Sequence, residues 1–151
     1  MKRWPSRAAW WPLLLAGVFF ALDLGVWHQS IHYIGPGMAT LQGNFQVFVM
    51  ALVGALVFRE RLSPSTWCSI PLALLGLSMI TGFEWQGLDA TTRAGILLGL
   101  ATAAFYSGFM LSLRRAQRLT GHGDTAVNLA LACVLAAVVL ALYLGWQGLA
   151  P

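Results

Sequence analysis

The sequence predicts an all-α polytopic integral membrane protein with five transmembrane helices, on three observations. Hydrophobic residues make up 58% of its 151 positions and charged residues only 9%, with a mean hydropathy of +0.72, whereas about a quarter of a soluble domain is charged. Five apolar runs approach the roughly 20 residues that one bilayer crossing needs. Lys and Arg cluster at alternate ends of those runs, which is how charge orients membrane helices. The net charge of +4 therefore reads as membrane orientation, and the expected partner is the lipid bilayer, not nucleic acid.

The first run spans about 10–32. Its basic start, "MKRWPSR", followed by "WPLLLAGVFFAL", resembles a secretory signal, but the apolar character continues past Asp23 to Ile34 and no small-residue cleavage site follows, so it reads as a retained helix. The connection "HYIGPG" leads to a second run over 37–58. "RERLSPS" separates this from a third run over 66–83, where Ser63 suits the cap and Pro64 the first helical position. Pro71 lies inside that third helix and reads either as a functional interruption or as a kink accommodated by packing. "EWQGLDATT" precedes the fourth run, 93–113, and "RRAQRLTGHGD" precedes the fifth, 125–146. Connections this short make consecutive helices antiparallel neighbours.

Lys2, Arg3 and Arg7, then Arg59 and Arg61, then Arg114, Arg115 and Arg118 fall at alternate span ends, which predicts a cytoplasmic N-terminus and a periplasmic or extracellular C-terminus in the cell inner membrane. Arg93 opens a span and can snorkel to the interface, where Glu84 and Asp89 also lie. Trp10, Trp11, Trp67, Trp85 and Trp146 sit near span ends, as an interfacial aromatic belt requires. Cys68 and Cys133 lie in apolar runs without metal-ligand spacing and read as small packing residues.

The polar residues inside the spans carry the functional question. On the first helix, Gly17, Ala21, Gly25, His28 and His32 form one stripe at helical spacing; Asp23, Trp27 and Ser30 form another, nearly opposite. That distribution predicts protein or water around most of the helix. A carboxylate at the depth of Asp23 is costly in lipid. It is either satisfied by hydrogen bonds from a neighbouring helix or is a proton-coupling or cation-recognition group. His28 and His32 have no further ligands at metal-binding spacing, so no metal site is expected. On the second helix the period puts Gln42 and Gln46 together and Asn44 on the far side; such amides serve either to read a solute or to tie helices together. Gly95, Gly99, Ala103 and Ser107, and again Cys133, Ala137, Ala141 and Gly145, step by four along the last two helices, a pattern that admits close helix approach. With no nucleotide-binding loop, nucleophile elbow or paired metal-binding motif, neither enzymatic activity nor a cofactor is expected.

The segments "LLLAGVFFALDLGVWHQSIHYIGPGMATLQGNFQVFVMALVGALVFRERLS" and "WCSIPLALLGLSMITG" resemble EamA-type transporters of the drug/metabolite transporter superfamily. The match lies in Trp27 and His28, Ala39 to Leu41, Asn44, and the Glu60 to Ser63 signature. "GILLGLATAAFYSGFMLSLRR" looks like the opening helix of that family's second repeat. Ser69 stands where the family often has Gly, and Val47 where it often has Pro. The resemblance implies ten spans in two inverted repeats, of which residues 10–83 would be the last three helices of the first and 93–146 the first two of the second.

It further implies secondary transport of a small metabolite by alternating access, with Trp27, His28 and Asn44 as candidate substrate-cavity residues; Gln46 is added to them from the second helix's polar face, and Asp23, by its depth near the bilayer middle, is the candidate coupling or anchoring group. A chain of five spans would need a homodimer or further helices to complete such a pathway. The alternative is a non-transporting fragment or an accessory membrane subunit.

Overall fold

The computed structural model describes residues 7–57, 63–81, 87–120 and 125–146. The calls on Lys2, Arg3, Arg59, Glu60, Arg61, Leu62, Glu84 and Trp85 lie outside the described residues. Among the described residues the helices follow in order as α1 (Arg7–Gly43), α2 (Gln46–Val57), α3 (Pro64–Thr81), α4 (Ala90–Thr120) and α5 (Thr125–Trp146). Among the described residues there is no strand. Among the described residues three stretches are long and apolar enough to cross a membrane: Arg7–Leu56, Ala90–Thr120 and Thr125–Trp146.

The boundaries depart from five separate spans in an instructive way. The first stretch runs for 50 residues, far more than one crossing needs, and it breaks at Gly35, whose φ of 78° and ψ of 163° lie outside the helical region. Only glycine adopts that backbone readily, and Pro36 disfavours a helical conformation at the residue before it. The expected "HYIGPG" connection is thus a single-residue break. The expected span 37–58 is itself divided, because α1 stops at Gly43 and α2 starts at Gln46. Around the divide the ladder tightens: the amides of Phe45, Val47 and Phe48 each donate to a carbonyl three residues back, Gln42, Asn44 and Phe45, at 3.0, 3.3 and 2.9 Å. A glycine followed by asparagine is a helix-ending pair.

Ser63 and Pro64 open α3 as expected: Ser63 Oγ accepts from the Thr66 amide at 3.2 Å. The helix passes through Pro71 without interruption. Over 64–76, 78 and 79 no residue is buried, and Trp67, Leu72 and Met79 are among the exposed ones. α4 begins before its expected start, capped by Asp89, whose Oδ2 accepts from the amides of Thr91 and Thr92 at 3.1 and 3.2 Å. It continues to Thr120, so Arg114, Arg115 and Arg118 ride on helix and not in a loop. α5 has the expected bounds.

The helices divide into two compact units, residues up to Gly25 with those from Phe105 onward, and Val26–Ala104. In the first unit Leu13 and Ala16 of α1, Phe109, Leu113 and Ala116 of α4, and Ala132 of α5 form one buried cluster. Phe20 stacks on Phe109 with centroids 4.7 Å apart. Gly17 meets α5 so closely that an added Cβ would lie 2.6 Å from Leu135 Cβ. Asn128, buried near the start of α5, donates through Nδ2 to Thr120 Oγ1 at 2.9 Å and ties the start of α5 to the end of α4.

In the second unit Gly95 packs on Tyr33 and Ile34, Gly99 on Gln42, and Gly43 on Thr102. These contacts climb together, so residues 34–43 run alongside residues 95–102 in the same direction. The α4 stripe serves as expected, since Gly95, Gly99, Ala103 and Ser107 are all buried. The α5 stripe does not: Cys133, Ala137, Ala141 and Gly145 are exposed. The inner face of α5 is Asn128, Ala132 and Ala136, one residue and therefore about 100° away. Cys68 and Cys133 are likewise exposed and not packed.

Candidate functional site

On α1 the buried positions Ala9, Leu13, Ala16 and Asp23 fall on one helical face, with Phe20 half-buried between the last two. Asp23 therefore occupies a core position by spacing, one that an apolar side chain would fill at no cost. It is only 5% exposed, and its Oδ1 has no hydrogen-bond partner among the described residues. A buried oxygen without a partner is an unmet demand costing on the order of 1–3 kcal/mol. The hydrogen-bonded structural role is thus not what this oxygen shows.

The opposite stripe divides. Gly17 and Ala21 are buried, while Gly25, His28 and His32 are exposed. Leu14, Val18 and Leu22 are each 42% exposed, so α1 presents an apolar outer face as well.

In the second unit Trp27 and His28 pair edge to face, with ring centroids 5.4 Å apart; Trp27 is half-buried and His28 exposed. Ser30, fully buried, donates from Oγ to the Gly95 carbonyl at 2.9 Å, a tie between α1 and α4 that the sequence marks only as a polar residue on a helix face. Asn44 lies in the break between α1 and α2 and is exposed; Gln46 is the first residue of α2 and is half-buried. The pairing of Gln42 with Gln46 assumed one continuous helix, and the break sets them in different environments.

Gln42 is the residue whose role sequence reasoning underweighted. It is fully buried, and both Nε2 and Oε1 lack partners among the described residues. Its side chain takes the space that a Cβ on Gly99 would need. The signal was present as a glutamine in an apolar run, but nothing in the sequence separated it from Gln46. Among the described residues no group of three or more His, Cys, Asp or Glu gathers where it could hold a metal ion.

Long apolar helices broken at Gly35 and at Asn44, with polar side chains held inward at Asp23, Ser30 and Gln42, define a polytopic α-helical membrane protein. The sequence model of the EamA-like transporter family matches residues 1–82, more than half of the chain, and the chain belongs to that family. It is 26% identical over 153 aligned positions to an uncharacterized transporter of Synechocystis sp. (strain ATCC 27184 / PCC 6803 / Kazusa), the alignment covering 100% of this chain and 46% of that protein. It is 21% identical over 143 positions to an uncharacterized transporter of Haemophilus influenzae (strain ATCC 51907 / DSM 11121 / KW20 / Rd), covering 93% of this chain and 47% of that protein. The chain thus spans about half the length of the curated relatives it matches. No solved structure matches it significantly.

Proposed function

We propose that the chain contributes to secondary transport of a small metabolite across the inner membrane, by alternating access and with proton coupling through Asp23. Membership of a transporter family supports the activity class. The observation that carries the coupling role is the buried Asp23 carboxylate with an unpartnered Oδ1, since intramembrane ionisable residues mark ion and proton pathways. A proton or cation arriving during the cycle would meet that oxygen's unmet demand.

In this reading Trp27, His28, Asn44 and Gln46 line the substrate path. The break at Asn44 supports the assignment, because transporters bind solutes where membrane helices are discontinuous. Amides there both donate and accept, which suits a polar uncharged or zwitterionic solute. The proposal places residues 10–83 and 93–146 in two inverted repeats, with five crossings, a cytoplasmic N-terminus and an outer C-terminus. A homodimer or a second set of helices completes the pathway.

The test is flux. Purified protein reconstituted in liposomes should exchange or accumulate at least one solute from a broad panel of labelled metabolites, and crosslinking in mild detergent should trap a dimer when the chain acts alone. Absence of flux across the panel, with a correctly inserted protein, contradicts the transport reading and favours an accessory role.

A further inference from the structure

The last turn of α1 buries a whole amide that no other group answers. Gln42 is 0% exposed, and neither Nε2 nor Oε1 has a hydrogen-bond partner among the described residues. A primary amide brings two donors and an acceptor with two lone pairs, and burying them unmet is costly. Leucine or methionine would fill the same space without that cost. Gly99 of α4 makes room for the side chain: the atoms nearest to a Cβ added there all belong to Gln42. Two hydroxyls of the same unit are committed elsewhere, Ser30 Oγ donating to the Gly95 carbonyl at 2.9 Å and Thr102 Oγ1 to the Leu98 carbonyl at 3.2 Å. Tying helices together, the ordinary use of a buried amide in a membrane bundle, is therefore not what Gln42 does.

The helix ends beside it, and membrane transporters bind solutes at such discontinuities. The Phe45 amide donates to the Gln42 carbonyl and the Val47 amide to the Asn44 carbonyl. The carbonyls of Leu41 and Gly43 thereby lose the donors that a continuous helix would bring from four residues on. Charge is missing from both sides: neither 26–58 nor 94–113 contains Lys, Arg, Asp or Glu.

These surroundings decide which group suits Gln42. A carboxylate only accepts and would leave Oε1 unmet; an ammonium only donates and would leave Nε2 unmet. A neutral amide answers both halves at once, its carbonyl accepting from Nε2 while its N–H donates to Oε1. We propose that Gln42 reads the transported solute, pairing in two points with a neutral carboxamide, or with a ring edge that has the same adjacent donor and acceptor, and so selects amide solutes over the corresponding acids. The inference rests on the transport reading and adds its substrate class. Gln42 is closed off from solvent in this state, so the solute meets it when the end of α1 parts from α4 at the Gly99 contact.

The full chain, purified in a non-ionic detergent, can be titrated by calorimetry with matched pairs that differ only as amide and acid: nicotinamide and nicotinate, L-asparagine and L-aspartate, L-glutamine and L-glutamate. Two buried hydrogen bonds are worth on the order of 10–100-fold in affinity, so at least one amide should bind that much more tightly than its acid. Gln42→Met keeps nearly the same length and bulk but cannot pair. It should abolish the preference and, with the unmet groups gone, raise the thermal midpoint of the solute-free protein by about 2–4 °C. No amide preference in any pair overturns the proposal, as does a preference that survives Gln42→Met. An unchanged or lowered midpoint, or a variant that fails to fold, marks an amide already satisfied inside the native protein and overturns it too. Flux of some solute without amide preference refutes the substrate class and leaves transport standing, whereas amide preference without flux supports the Gln42 site and counts against transport.

Discussion

Replacing Gly17 with alanine should weaken the contact between α1 and α5, although alanine is the better helix former by about 1 kcal/mol. The new Cβ would lie 2.6 Å from Leu135 Cβ, with the Ala132 carbonyl oxygen at 3.3 Å and the Ala136 nitrogen at 3.4 Å. Carbon atoms settle at about 3.5–4.0 Å, so the two helices must part by about 1 Å. A Cβ is fixed to its backbone and cannot rotate away. Overpacking of this kind costs about 1–3 kcal/mol.

Gly25, on the same stripe two turns later, has nothing within 4 Å of its added Cβ, so Gly25→Ala keeps the propensity gain without the clash. The two variants should therefore differ by about 2 kcal/mol, or about 4–8 °C in midpoint for a chain of this size. Thermal unfolding in one detergent, followed by circular dichroism, compares them directly. A Gly17→Ala protein as stable as Gly25→Ala would refute the α1–α5 packing and the reasoning built on it.

Two further outcomes follow from local geometry. Gly35→Ala should destabilise the protein by about 1–3 kcal/mol through backbone strain alone, since φ is 78° and no atom lies within 4 Å of the added Cβ. Gly37→Ala, equally unobstructed and without that backbone, is the control, and equal midpoints for the two would count against the break at Gly35. Asp89 has its carboxyl held below the ordinary value of 3.8, first by the Thr92 hydroxyl and then by backbone amides. A depressed folded value means the stabilisation is complete above about pH 4 and fades as pH falls through the folded value. The stability gap between the unaltered protein and Asp89→Ala should therefore close in acid, and a gap independent of pH between 2 and 7 would contradict the cap.

How much of this was legible in the sequence depends on what each feature asks of the chain. The Gly35 break was legible because Gly-Pro changes the allowed backbone outright. Ser63 with Pro64 marked the start of α3 for the same reason. The break at Asn44 was not, because Gly43 and Asn44 sit inside a run whose hydropathy continues on both sides, and hydropathy decided the span. Asp89 looked like a loop acid until the helix start moved to meet it. The two small-residue stripes are indistinguishable in sequence, yet only that of α4 is buried: in an apolar helix both the packed and the outward faces are apolar, so composition cannot choose between them. Asp23 stood out because a lone acid in a long apolar run has no inexpensive position, whereas the separate fates of Gln42 and Gln46 depended on a change of helical register that no local signal announced.

The central claim is that Asp23 carries a proton during transport. Its most direct measurement uses liposomes loaded with a pH-sensitive dye, with solute-driven proton movement compared between the unaltered protein and Asp23→Asn. Amide and carboxyl are nearly the same size, so folding, insertion and solute binding should persist while solute-driven proton movement disappears. Solute-driven acidification by Asp23→Asn at the unaltered rate would contradict the claim and return Asp23 to a structural role.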